Sequence, residues 1–341
     1  MRSMTTRLLS SFFSIVLVFS ISISFVDAKK RIQLSSASVP KKIKTRKFVK
    51  NLNEIFKNPA SHVAIMPYDN PVGAPLIKPL TSLYQSEKKE LRFVFIVPGY
   101  NNALWYKKNL ESIFMQNYCN YHIIYIDDAS TDGTDRLVQD FVKEWGMESR
   151  FTLIKNKERK YMAYNRYMAV HLCADTDICI ALDGDDWLAH DQVLTYYNKV
   201  YQDKNVWMTY GSYTCFPSGD QGRVCARLPD KVIQKNSIRQ NRWTASHLKT
   251  FYAWLFKLIP VECFKYKDTF FTGSTDLAMM YPMLEMAHFY SKFVSQKTYV
   301  YNCLDQRIQS ASIESLKAHR KKMGDYLRAQ KPFQPIKIND V

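Results

Sequence analysis

Four times between residues 91 and 182, a short apolar run gives way to a polar turn, and three of those turns lead into a stretch with helical spacing. Arg92-Phe93-Val94-Phe95-Ile96-Val97 predicts a buried strand that stops at Pro98-Gly99-Tyr100-Asn101-Asn102. Tyr106, Leu110, Ile113 and Phe114 then recur at i, i+4, i+7 and i+8, the apolar stripe of a helix. Residues 122–126 predict a second strand, closed by Asp127-Asp128-Ala129-Ser130-Thr131-Asp132-Gly133-Thr134. A helix through Leu137, Phe141 and Trp145 leads to a third strand at 151–154, and another helix follows around 162–172. The fourth strand, Ile178-Cys179-Ile180-Ala181-Leu182, ends on Asp183-Gly184-Asp185-Asp186-Trp187.

Strand alternating with helix in this way predicts an α/β protein, with a mostly parallel sheet and helices on both faces. Ligands of such sheets bind beyond the carboxyl ends of the strands. The polar turns at 98–102, 127–134 and 183–186 all fall there, so their chemistry is expected to converge. The last turn packs three carboxylates into four positions. Crowded carboxylates repel one another and resist desolvation. A divalent cation such as Mg²⁺ or Mn²⁺ would compensate them through hard oxygen ligands. The run equally reads as the cap of a helix starting near His190, with Asp186 as its N-terminal signal.

Outside this series the character changes. An uncharged stretch at 8–26 follows Arg2 and Arg7, which predicts a signal peptide or a membrane anchor over residues 1–28. Either would put the protein at a membrane or in the secretory pathway. Residues 29–90 are basic and then Pro-containing, as in a stem or linker, with one short helix expected near 48–56. The net charge of +17 gathers in runs at 29–31, 41–47 and 320–322. Those runs lie far from the polar turns, so a solvated or membrane-facing role is expected of them rather than nucleic-acid binding.

The seven cysteines form no C-x-x-C pair and no zinc spacing, although Cys215 and Cys225 bracket a loop and would suit a disulfide in an exported chain. No G-x-G-x-x-G and no G-x-x-x-x-G-K-[ST] occurs, which argues against dinucleotide enzymes and P-loop phosphotransfer.

Taken together, Val97-Pro98-Gly99-Tyr100-Asn101, the 127–134 run and Leu182-Asp183-Gly184-Asp185-Asp186 resemble glycosyltransferase family 2, the inverting enzymes of GT-A fold. The likeness is strong over residues 91–215 and extends more loosely to about 305. It implies a single Rossmann-like, mostly parallel sheet flanked by helices, with a helical acceptor-side C-terminal half. Residues 91–215 would bind the nucleotide sugar, 216–310 the acceptor, and 311–341 would form a basic helix or tail.

Roles carry over by position. Pro98, Tyr100 and Asn101 would line the nucleotide pocket, and Asp127 or Asp128 would contact the base. Arg159 and Lys160 stand where the family usually has Asn-x-Gly surroundings, and as cations they would meet the diphosphate; Asp183 would face the ribose. Asp185, the second acid of a DxD pattern, would hold Mn²⁺ or Mg²⁺. Asn165 takes the place of the family's Arg-Asn step, with Tyr164 standing where Arg is common. On the acceptor side, Asp276 would be the general base, with Glu285 in reserve; on spacing alone Asp276 is as well a helix N-cap. His247 would be a metal ligand or diphosphate contact, or else a structural histidine. Trp187, Trp243 and Tyr213 would stack on sugars or pack in the core.

The function implied is metal-assisted transfer of a sugar, with inversion, from a nucleotide-diphosphate sugar to a hydroxyl of a glycan, lipid-linked or protein acceptor. The alternative is a catalytically inactive domain that binds nucleotide or glycan.

Overall fold

The computed structural model describes residues 90–304 and 313–337. The expected signal or anchor, the stem and the short helix near 48–56 lie outside the described residues. The first half alternates as the hydrophobic pattern requires: β1 Phe93–Gly99, α1 Tyr106–Phe114, β2 Tyr121–Asp127, α2 Thr134–Glu144, β3 Phe151–Lys155, α3 Tyr161–His171 and β4 Ile178–Ala181. There follow β5 Trp187–Leu188, α4 Val193–Tyr201, β6 Met208–Phe216, α5 Asp230–Gln234, β7 Ser246–Tyr252 and α6 Ala253–Lys257. The series closes with β8 Lys265–Tyr266, β9 Thr269–Phe270, α7 Thr275–Ala287, β10 Ser291–Asn302 and α8 Ile313–Ala329.

One mixed sheet of order β3-β2-β1-β4-β7-β6-β10-β5 carries the fold. β3, β2, β1 and β4 are parallel, and β10 runs parallel to β6. β7 lies antiparallel between β4 and β6. The C-terminal half contributes strands to this sheet as well as helices. The free edge of β4 needs a partner for its backbone N–H and C=O groups, and β7 from the second half supplies it. Strands β7 and β10, from beyond residue 216, are therefore woven into the same sheet as β1–β4.

Period-two alternation along β1 divides the core. Phe93, Phe95 and Val97 face α1, α2 and α4 through Leu110, Phe141 and Tyr197. Val94 and Ile96 join the opposite cluster, which takes in Ala163 of α3, Phe256 of α6 and Met280 of α7. Because β1 and β2 are in parallel register, Gly99 sits beside Asp127. The polar turns consequently emerge at one sheet edge.

Candidate active site

The acidic turn after β4 is held by backbone contacts that orient its three carboxylates differently. Asn109 of α1 donates its amide to the carbonyls of Asp183 and Asp186, at 2.9 and 2.7 Å. Gly184 packs so closely on the turn after β1 that an added Cβ would lie 2.3 Å from Asn102 Nδ2. Asp186 points inward: it is 1% exposed and accepts from the Asn302 backbone N–H at 2.7 Å and from the Tyr299 hydroxyl. Burial first, and then Asp185 and Asp183, push its pKa well above the usual carboxylate range. Asp186 is thus no helix cap, since β5 follows it and α4 begins only at Val193. Asp183 and Asp185 stay partly exposed.

Behind Asp183 lies Arg166 of α3, whose side chain is 3% exposed. Its Nη2 donates to Asp183 Oδ1 at 2.5 Å and its Nη1 to Asp276 Oδ1 at 2.8 Å. The other Asp276 oxygen meets Lys249 Nζ of β7 at 3.0 Å. Burial alone would raise the Asp276 pKa; Lys249 and then Arg166 outweigh it and hold the carboxyl well below its usual range. Asp276 is therefore not an N-cap: it lies in the first turn of α7, and its carboxylate is spent on two cations. The neighbouring His247 is pushed down to about 3 by burial and by Lys249, so its ring is neutral. That ring stacks on Tyr299 at 4.4 Å.

The nucleotide-side candidates surround the ends of β1, β2 and β3. Asp128 accepts from Asn156 Nδ2 and the Lys160 N–H at 2.8 Å, and from the Tyr161 N–H at 2.9 Å. It thereby folds the 156–161 loop over the strand ends. In that loop the Arg159 guanidinium lies 3.7 Å from the centre of the Tyr100 ring, while the Lys160 ammonium pairs with Glu158 at 2.5 Å. Asp127 Oδ2 accepts from the Ser130 N–H at 3.1 Å, and its buried Oδ1 has no hydrogen-bond partner. Burial raises the Asp127 pKa.

Asn101 takes φ +52° and ties the first two turns together, donating its N–H to Ser130 Oγ and accepting from the Thr131 N–H, both at 2.9 Å. An open crevice of about 620 Å³ lies at the ends of β2 and β3, lined by Asp127, Ser130 and Asn156 among others. None of Asp183, Asp185 and Asp276 lines it, so it flanks the strand ends and is not the reacting centre.

A divalent cation fits Asp185 by donor chemistry: a hard carboxylate oxygen, partly exposed, beside an Asp183 already paired with Arg166. Among the described residues no three His, Cys, Asp or Glu side chains gather as a ready metal cluster.

The model of the family described as Glycosyl transferase family 2 matches residues 94–263, a span that runs from β1 past β7 and includes all three motif turns. The chain belongs to glycosyltransferase family 2. Its relatives include glycosyltransferase GlyA of Streptococcus pneumoniae serotype 4, 27% identical over 164 residues, which are 47% of this chain and 23% of that protein. The putative glycosyltransferase EpsE of Bacillus subtilis is 36% identical over 95 residues, 27% of this chain and 33% of that protein. The UDP-Glc:alpha-D-GlcNAc-diphosphoundecaprenol beta-1,3-glucosyltransferase WfgD of Escherichia coli is 29% identical over 119 residues, 35% of this chain and 44% of that protein. The chain thus spans less than half the length of these curated relatives. Among solved structures, TarS 1-349 of S. aureus in complex with UDP-GlcNAc aligns with TM-score 0.49 at 15% identity, over 70% of this chain and 66% of that one.

Within this family 2 domain several sequence expectations need correction. Glu285 cannot serve as a reserve base. It is fully buried, takes a bidentate pair from Arg239 at 2.6 and 2.9 Å, and accepts from the Phe333 N–H at 3.0 Å. His247 is a structural histidine rather than a metal ligand, because both ring nitrogens lie within 3.5 Å of the Lys249 ammonium, which repels a cation. Trp187 is 7% exposed, stacked on Trp105 and covered by Lys108, and Trp243 packs edge-on against Tyr281. Cys215 and Cys225 are thiols, and their loop closes instead through backbone bonds between Cys215 and both Gly219 and Asp220.

Sequence reasoning missed Arg166 and Lys249. A signal existed for the first: the Arg sought before Asn165 stands directly after it. Lys249 was visible only as a charge within an otherwise buried strand.

Proposed function

We propose that this family 2 member transfers a sugar from a nucleotide-diphosphate sugar to an acceptor hydroxyl, with inversion at the anomeric carbon and a divalent cation held at Asp185. The observation that carries the reading is the Arg166 bridge, because one guanidinium joins the carboxylate at the donor strand end to the carboxylate at the start of α7. A nucleotide sugar is the donor class that the name of the WfgD relative specifies for that protein.

At the nucleotide end, Asp127 Oδ1 is a buried acceptor awaiting an N–H or O–H, and the Tyr100–Arg159 pair offers a flat face for a base. Asp128 keeps that face in place through the 156–161 loop. Asp183, oriented by Arg166, accepts from a ribose hydroxyl. The cation, when bound, stabilises the negative charge that grows on the departing nucleoside diphosphate.

Asp276 is the acceptor-side group. Held ionised by two cations, it is a weak base, below the pKa that serves proton abstraction best. It orients the acceptor hydroxyl and takes the proton once bond formation at the anomeric carbon has acidified it. Both of its oxygens are engaged, which suits single displacement and not a covalent glycosyl–enzyme. Glycan, lipid-linked and protein hydroxyls all meet this requirement.

The test is a panel of nucleotide sugars with the full chain, with and without Mn²⁺, followed by thermal unfolding and by release of nucleoside diphosphate. A Mn²⁺-dependent rise with one donor class, accompanied by turnover, is expected. Binding without turnover would reduce the protein to a binding domain, and no shift with any donor would sink the reading.

A further inference from the structure

Lys249 is a charge that the sheet itself does not require. It is fully buried on β7, where an apolar side chain of like volume would avoid the cost of desolvating an ammonium. Its Nζ lies 3.0 Å from Asp276 Oδ2, while Arg166 grips Oδ1 at 2.8 Å. Two cations from two different elements thus fix the two oxygens of one carboxylate, which remains 36% exposed. A carboxylate with one partner turns freely about its terminal torsion, whose wells are broad; one held at both oxygens does not.

A second line of contacts reaches Asp276 through the same lysine. The Tyr299 hydroxyl donates to Asp186, the His247 ring stacks on Tyr299, and Lys249 Nζ lies 3.4 Å from His247 Nδ1. The acidic turn is therefore joined to Asp276 twice, once through Arg166 and once through Tyr299, His247 and Lys249. His247 completes that path without adding a second positive charge, because its ring is neutral.

We propose that Lys249 is a positioning residue for acceptor activation: with Arg166 it locks the Asp276 carboxylate so that its exposed edge meets the acceptor hydroxyl at a set distance from Asp183. The inference rests on the glycosyl-transfer reading and extends it to a residue buried behind Asp276. The charged and titratable groups facing Asp276 are Arg166 from α3, Lys249 and His247 from β7, and Asp183 through Arg166.

The experiment compares steady-state transfer by the full chain with that of Lys249→Met and Lys249→Arg. A displaced reacting group costs on the order of 100-fold in rate, so Lys249→Met is expected to lower kcat by about 30- to 100-fold. Donor KM and the Mn²⁺-dependent thermal shift should stay within about twofold, because the donor side keeps its Arg166–Asp183 pair. The acid limb of the kcat–pH profile should move to higher pH, since Asp276 then retains one cation, and Lys249→Arg should recover about tenfold of the loss. If Lys249→Met loses cooperative unfolding, Lys249→Gln is read in the same way. A kcat within threefold of wild type, or an unmoved acid limb, would overturn the proposal. Failure of the unaltered chain to turn over any donor overturns the transfer reading itself, before a variant is made.

Discussion

Tyr299 and Asp186 stand 113 positions apart and share a buried hydrogen bond, hydroxyl to carboxylate. With the Asn302 N–H on the other oxygen, this contact turns Asp186 into the core. Asn302 also donates its side-chain amide to the Asp185 carbonyl at 3.1 Å. β10 therefore fixes Asp186 in the core, while Asp183 and Asp185 stay partly exposed.

Asp185→Ala should abolish the Mn²⁺-dependent stabilisation by nucleotide sugar, because Asp183 is engaged by Arg166 and Asp186 is buried, so neither replaces it. The ligand-free unfolding midpoint should stay within about 2 °C of wild type, as for a substitution outside the core. Thermal unfolding with and without Mn²⁺ and donor reads both effects. A retained Mn²⁺ response would remove Asp185 from the metal site.

Arg166→Met leaves Asp183 without its cation and the partly exposed Asp276 with Lys249 alone. Removing one partner of a fully buried ion pair costs about 3–5 kcal/mol, and the partial exposure of both carboxylates lowers the expected loss here to about 1–3 kcal/mol. Urea unfolding should show that loss, and the double variant Arg166→Met, Asp276→Asn should regain part of it. An equal loss in the double variant would mean that charge is not the reason for the bridge.

Gly184→Ala puts a Cβ 2.3 Å from Asn102 Nδ2 and 3.1 Å from the Gly99 backbone. The flexible amide can yield but the backbone cannot, so the turn must shift, at about 1–3 kcal/mol. Donor binding measured by calorimetry should weaken along with stability, because Asp183 and Asp185 flank the displaced residue.

Asp128→Ala removes the acceptor for the Lys160 and Tyr161 amides. Hydrogen exchange should quicken at those two amides and donor KM should rise, while the bare fold persists. Unchanged exchange at 160 and 161 would show that the loop is held by something else.

Burial, and then Lys249, push the His247 pKa down to about 3 in the fold, against an unfolded value near 6.5. The unfolded chain binds more protons below pH 6.5, so this group's contribution is complete above that pH and is lost as pH falls toward 3. The slope approaches about 1.4 kcal/mol per pH unit within that window. His247→Phe keeps the stack on Tyr299 and should flatten the stability profile between pH 6.5 and 4. An unaltered slope in urea titrations across that range would show that His247 is protonated in the fold.

The alternation from β1 to β4 and the three polar turns at the strand ends are legible in the chain alone. Those are contiguous signals, because apolar periodicity and turn chemistry act between residues a few positions apart. Long-range packing, by contrast, decided that β7 enters the sheet beside β4, that Asp186 faces the core while Asp185 does not, and that Glu285 belongs to Arg239. It also decided that Arg166 and Lys249, from α3 and β7, share the carboxylate of Asp276. Ion pairs between residues separated by tens of positions leave no period in the chain. They arise only when packing brings buried charges together and desolvation makes each one find a partner.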